Sequence, residues 1–169
     1  GDGWAYTYGS HTIRGLKQTH QPSPWINDYG QFSIMPVRGK DKVDENARQS
    51  WFSHQSETAK PYYYSVYLAD HDVVAEMAPT DRAAVLRFTF PEGEQSRIQI
   101  DLARRVGGTA ERQYIEVVDK HTIAGWMKCP PATGGWGNGE GQADYTVYFY
   151  AQFSKPFSGH GVWSRPEIG

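Results

Sequence analysis

Apolar and polar residues alternate with a period of two at several places along the chain, and this limits the fold more than any other feature. Tyr62, Tyr64, Val66 and Leu68 fall on one side of such a run, Leu86, Phe88 and Phe90 on one side of the next, then Ile98, Ile100 and Leu102. Tyr145, Val147, Phe149, Ala151 and Phe153 form a late run, and Trp4, Tyr6 and Tyr8 a short one at the start. Successive side chains of a strand point to opposite faces, so each run predicts a half-buried strand, and its β-branched and aromatic residues favour the same state. Turn-forming residues separate the runs: Ala69-Asp70-His71-Asp72, Pro91-Glu92-Gly93-Glu94 and Asp119-Lys120-His121. No helical pattern intervenes, so the expected fold is all-β, an antiparallel β-sandwich. Only Val43 to Phe52 could form a helical turn, and its apolar positions are too sparse for an amphipathic face; it reads as a loop. Cys129 to Gly141, glycine-rich around Trp136, reads as a long excursion between two strands.

A chain of 169 residues fits one domain with a sizeable core. The formal net charge of -2 and pI near 6.3, with no dense Lys/Arg block, leave no electrostatic footprint for nucleic acid or an anionic membrane. The single cysteine, Cys129, excludes an internal disulfide framework and a Cys-rich zinc site. No apolar stretch approaches the roughly 20 residues of a membrane helix. The start, GDGWAYTYGS, lacks the basic and apolar regions of a signal peptide, so any export signal is expected to have been removed or never present.

The usual signatures of catalysis are missing from the sequence. Histidines 11, 20, 54, 71, 121 and 160 stand singly, without ligand spacing. No GxSxG elbow occurs, and Gly134-Gly135-Trp136-Gly137 is not followed by the GK[ST] of a phosphate cradle. Carboxylates are plentiful, but no pair can be assigned as acid and base. The sequence therefore assigns no catalytic residue and no metal ligand.

Binding is better represented. Tyrosine (11) and tryptophan (6) are abundant although mean hydropathy is -0.66, so many rings can both pack and hydrogen-bond at a tip. The segment from Gln18 to Pro36 concentrates this character. Pro22 and Pro24 fix their own φ and drive the preceding residues toward extended backbone, which stiffens the chain before Trp25. His20, Gln21, Asn27 and Asp28 stand around it as groups able to grip hydroxyls, and Tyr29-Gly30 leads into the alternating Gln31 to Met35. His20, Trp25 and Asp28 are accordingly the candidate substrate-binding residues, with Trp25 as a sugar-stacking platform. Residue chemistry leaves a second use open, in which Trp25 covers the edge of the sandwich. Asp81-Arg82 precedes the strand from Ala84 to Phe90 and is read chiefly as a tie at the strand entry, with ligand contact as the alternative. Arg87 alternates against Leu86 and Phe88 and is expected to face solvent or a domain interface.

Five blocks in order carry a resemblance: GLKQTHQPSPWINDYGQFSIMP, SHQSETAKPYYYSVYL, EMAPTDRAAVLRFTFP, RIQIDL and GGWGNGEGQADYTVYFYAQFSKPF. Together they span nearly the whole chain, and their order is more specific than any one block. The sequence resembles the N-terminal domain of the glycoside hydrolase family 92 α-mannosidases. The resemblance implies a β-sandwich that packs on a C-terminal (α/α) barrel, with an exo-acting, inverting, calcium-dependent site in the cleft between them. It places the catalytic acid and base, and the Ca2+ ligands, outside this chain, which by itself would be inactive and would bind no cofactor. The implied partners are α-mannoside glycans and the catalytic domain of the same polypeptide, and the implied location is secreted or periplasmic. The chain is then expected to be a fragment, trimmed at both ends. Many members carry a Ser-Gly-Thr-Gly loop where this chain has Gln21-Pro22-Ser23-Pro24-Trp25, which leaves the linkage preference open. The alternative reading is a free-standing carbohydrate-binding module using the same loop.

Overall fold

The computed structural model describes residues 7–17, 32–40, 42, 44–93, 95–102, 104–105, 108–109, 112–129 and 144–163. Thirteen strands, one helical turn and one 3-10 turn follow one another along them. The first strands are β1 (Thr12–Ile13), β2 (Ser33–Arg38) and β3 (Ser50–Trp51), with the helical turn α1 (Glu45–Arg48) before β3. The 3-10 turn His54–Ser56 leads into β4 (Glu57–Lys60), β5 (Tyr63–Leu68), β6 (Val73–Pro79) and β7 (Ala84–Thr89). After these come β8 (Ser96–Asp101), β9 (Arg104–Arg105), β10 (Gly108–Thr109), β11 (Arg112–Asp119), β12 (Thr122–Cys129) and β13 (Tyr145–Gln152).

All pairing is antiparallel. A four-stranded sheet runs β4-β5-β6-β7, a three-stranded sheet β11-β12-β13, and β1-β3, β2-β8 and β9-β10 form two-stranded ribbons. The hairpins arise where the turn chemistry puts them. Asp72 adopts a left-handed φ of 52° between β5 and β6, a conformation that Asp tolerates better than most residues. Between β11 and β12 the Asp119 carboxylate accepts the His121 backbone N–H at 2.7 Å.

The core sits where β2 crosses the four-stranded sheet. Met35 and Val37 of β2, with Leu16 and Phe52, pack on Val66, Leu68 and Ala75; Ile13, Tyr64, Leu86 and Phe88 close its margin. The alternating residues Tyr64, Val66 and Leu68 thus share the inner face of β5, while Tyr62 stands exposed in the turn before it. Phe32, just before β2 and of opposite parity to Met35 and Val37, meets Phe149 of β13 with ring centroids 5.1 Å apart, joining the three-stranded sheet to the rest. Between β7 and β8 on one side and β11 to β13 on the other lies a broad open trough of about 3480 Å³, bordered by Phe88, Ile98, Ile100 and Phe149.

Two sequence expectations are modified. The stretch Val43 to Phe52 is not a plain loop, because Asp44 caps a turn of helix by accepting the Asn46 N–H at 2.8 Å, and β3 follows. In β8 the buried positions are the polar Gln99 and Asp101, while Ile98 and Ile100 are half-buried. Tyr8 occupies a turn; Trp4, Tyr6 and the excursion 130–141 lie outside the described residues.

Candidate functional site

The candidate binding residues His20, Trp25 and Asp28 lie in 18–31, outside the described residues. The structure does describe the stem on both sides. Leu16 and Ile34 exchange two backbone hydrogen bonds, each 2.8 Å long, so the chain departs and returns at facing positions. Gly15 makes the approach possible: a Cβ there would fall 2.9 Å from Ser33 Cβ, closer than two carbons can sit.

A buried guanidinium braces this stem. Arg48, 1 % exposed, donates from Nε to the Arg14 carbonyl at 3.1 Å and from Nη2 to Asp101 Oδ2 at 2.8 Å. Asp101 in turn lies opposite Ser33, the first residue of β2. One side chain therefore ties α1, the approach to the loop and the end of β8 together. His71 completes the node from the β5–β6 turn, donating from Nε2 to the Arg48 carbonyl at 2.8 Å. Burial pushes the His71 pKa below its ordinary value, and Lys42 and Arg38 push the same way. Neutral His71 keeps its one proton on Nε2 and leaves Nδ1 buried without a partner among the described residues.

A second cluster surrounds His54. Its ring stacks on Tyr8 at 4.2 Å between centroids, and His11, Phe52 and Trp51 continue the aromatic surface. Nδ1 donates to Glu57 Oε2 at 2.7 Å, Nε2 faces the Tyr8 carbonyl, and Tyr64 donates its hydroxyl to Glu57 Oε1 at 2.7 Å. The Glu57 hydrogen bond raises the His54 pKa, since both ring nitrogens face acceptors and the imidazolium satisfies both. Trp51 is 49 % and Tyr8 71 % exposed.

Sequence reading gave His54 and Arg48 no role. The signal for His54 was the spacing Ser53-His54 with Glu57 three residues on, which suits one turn. Arg48 had no local signal, because its partners Arg14 and Asp101 are distant in sequence. Asp81 and Arg82 sit exposed at the tip of the β6–β7 hairpin, where Thr80 and Ala83 close the turn. Arg87 is paired on the outer sheet face, its Nη2 2.7 Å from Glu76 Oε1; with Tyr63 also donating to Glu76, the carboxyl is held at about 2.

Among the described residues no three His, Cys, Asp or Glu side chains converge to hold a metal ion. They do not fit the calcium that the resemblance implies. The described groups brace the stem at which residues 18–31 leave and return. None of the described helices is long and apolar enough to cross a membrane.

An antiparallel β-scaffold by itself fixes no function, and sequence comparison makes the class specific. The profile of the glycosyl hydrolase family 92 N-terminal domain matches residues 1–168, and the chain belongs to that family. Among solved structures it is similar to the family GH92 α-mannosidase BT3965 from Bacteroides thetaiotaomicron in complex with mannoimidazole. Identity is 31 % and the TM-score 0.77, over 93 % of this chain and 20 % of that one. It is also similar to the family GH92 inverting mannosidase BT2199 from Bacteroides thetaiotaomicron VPI-5482, at 37 % identity and a TM-score of 0.69, over 91 % and 19 %. The chain thus spans about a fifth of the length of these relatives. No curated protein matches it in sequence.

Proposed function

We propose that this chain serves as the N-terminal β-domain of a longer, exo-acting, inverting α-mannosidase, and that it shapes the mannoside-binding cleft without supplying the reacting groups. Its membership of family 92 over residues 1–168 is the observation that carries this reading. In an inverting glycosidase the acid and base stand roughly 6.5–9.5 Å apart to admit a water; in this proposal both come from the companion domain, which also holds the calcium. This chain contributes recognition through Trp25, His20 and Asp28, on a loop whose stem is clamped by Leu16, Ile34 and Arg48. The parent enzyme would meet its glycans outside the cytoplasm.

Trp25→Ala tests the assignment. In the complete enzyme it should cost on the order of 2 kcal/mol in kcat/KM, as loss of a central aromatic anchor does. The stability of the 169-residue chain should change by about 0.5 kcal/mol or less, as for an exposed side chain. Unchanged kinetics with a collapsed melting temperature would make Trp25 a structural residue.

A further inference from the structure

The register of the three-stranded sheet lines up its aromatic residues. Tyr114 of β11 lies opposite Trp126 of β12, and Trp126 opposite Tyr148 of β13, so three rings form one row straight across the strands. Two residues along, the same face carries Glu116, Ala124 and Tyr150; two residues the other way it carries Arg112, Lys128 and Thr146. Ile123 and Met127, of opposite parity, are buried on the inner face, so the row turns outward. Tyr114 is 47 %, Tyr148 75 % and Tyr150 65 % exposed. The Tyr114 and Trp126 rings are near parallel, 22° apart with centroids at 6.1 Å, and a depression of about 330 Å³ opens beside Trp126 and Tyr148.

We infer that this row is a second carbohydrate-binding surface, taking an uncharged pyranoside by stacking on Trp126 and Tyr148. Three observations select that occupant. The face is built of tyrosine and tryptophan, whose rings offer an apolar plane with a polar tip, as stacking on a sugar ring with hydroxyl contacts requires. Its rim carries two cations, Arg112 and Lys128, and two carboxylates, Glu116 and Asp144; Lys128 Nζ is 2.6 Å from Asp144 Oδ1, and Tyr114 donates to Glu116 Oε2 at 3.0 Å. A rim that balances in charge gives no attraction for nucleic acid or an anionic lipid and suits a neutral polyol. The small Ala124 leaves space on the face between Glu116 and Tyr150. None of the residues that form this surface belongs to 18–31, and only the choice of a mannoside as first probe rests on the proposed function.

Isothermal titration of the 169-residue chain with α-mannotriose, and with cellotriose as a second neutral sugar, tests it. Saturable binding of either sugar, weakened at least tenfold by Tyr148→Ala and by Trp126→Ala but unchanged by Tyr62→Ala, an exposed ring in the turn before β5, is the expected result. Tyr148→Ala alters an exposed side chain and keeps the test valid if Trp126→Ala fails to fold. Binding lost only in Trp25→Ala would overturn this inference and leave the proposed function standing. Absence of binding by both sugars would overturn it, as would a concentration-dependent dimer abolished by Tyr148→Ala, which would make the face a contact between copies.

Discussion

Arg48 is the residue on which most of the described geometry converges. Its charge is tolerated in the interior because Asp101 faces it and the Arg14 carbonyl accepts a further hydrogen bond. Breaking such a pair from one side strands the other charge, whereas replacing both halves with apolar groups removes the cost of burying them. Asp101→Asn is therefore expected to lose about 3–5 kcal/mol in urea denaturation, and Arg48→Met combined with Asp101→Leu to lose less than the single change. Gly125 makes an equally local demand. A Cβ there would meet the Tyr114 carbonyl and come within 2.6 Å of the Phe149 ring, and a backbone oxygen inside a paired sheet cannot step aside. Gly125→Ala should cost about 1–3 kcal/mol, read as a lower urea midpoint.

Among the elements, the β5–β6 turn is the one whose stability is tied to pH. It inserts His71 beneath Arg48, close to Lys42 and Arg38, with Asp70 the nearby carboxylate. The folded pKa lies below the unfolded value of about 6.5, so the unfolded chain takes up the proton first as the solution is acidified. The stability due to neutral His71 is present above that value and is lost as pH falls through the folded pKa. His54 has the opposite sign: its raised pKa gives stability that is present below 6.5 and is lost as pH rises. Melting curves of the parent and His71→Gln from pH 7.5 to pH 5 separate the two. The glutamine amide can still donate to the Arg48 carbonyl but does not titrate, so His71→Gln should lose less melting temperature on acidification than the parent. The strands themselves were legible because a period of two is a local property, as in Tyr64, Val66 and Leu68. The buried polar face of β8 was not. Gln99 and Asp101 look like solvent positions until Arg48 arrives from an element more than fifty residues away.

For the molecule as a whole, family membership followed from the order of the five blocks and is matched by the similarity to solved mannosidases. The candidate site was legible only as a loop, since local sequence shows its prolines and its tryptophan but not the clamp between Leu16 and Ile34, which depends on two strands meeting. The division of labour proposed for the domain sets an expectation at this scale. The 169-residue chain alone should not release the aryl group from an aryl α-mannoside, with or without added calcium. Turnover by contaminant-free protein that disappears when one of its own carboxylates is replaced would put the reacting groups inside this chain.

The clamp at the base of the loop has an evolutionary consequence. Because two reciprocal hydrogen bonds fix where the chain leaves and where it returns, residues 18–31 can be exchanged or lengthened while the β-scaffold keeps its register. Closing a loop of twice the length costs only about 0.6 kcal/mol more, well within what most domains can absorb. On the proposed function, sugar preference would change by swapping one cassette between two fixed posts, without any change to the body that holds it.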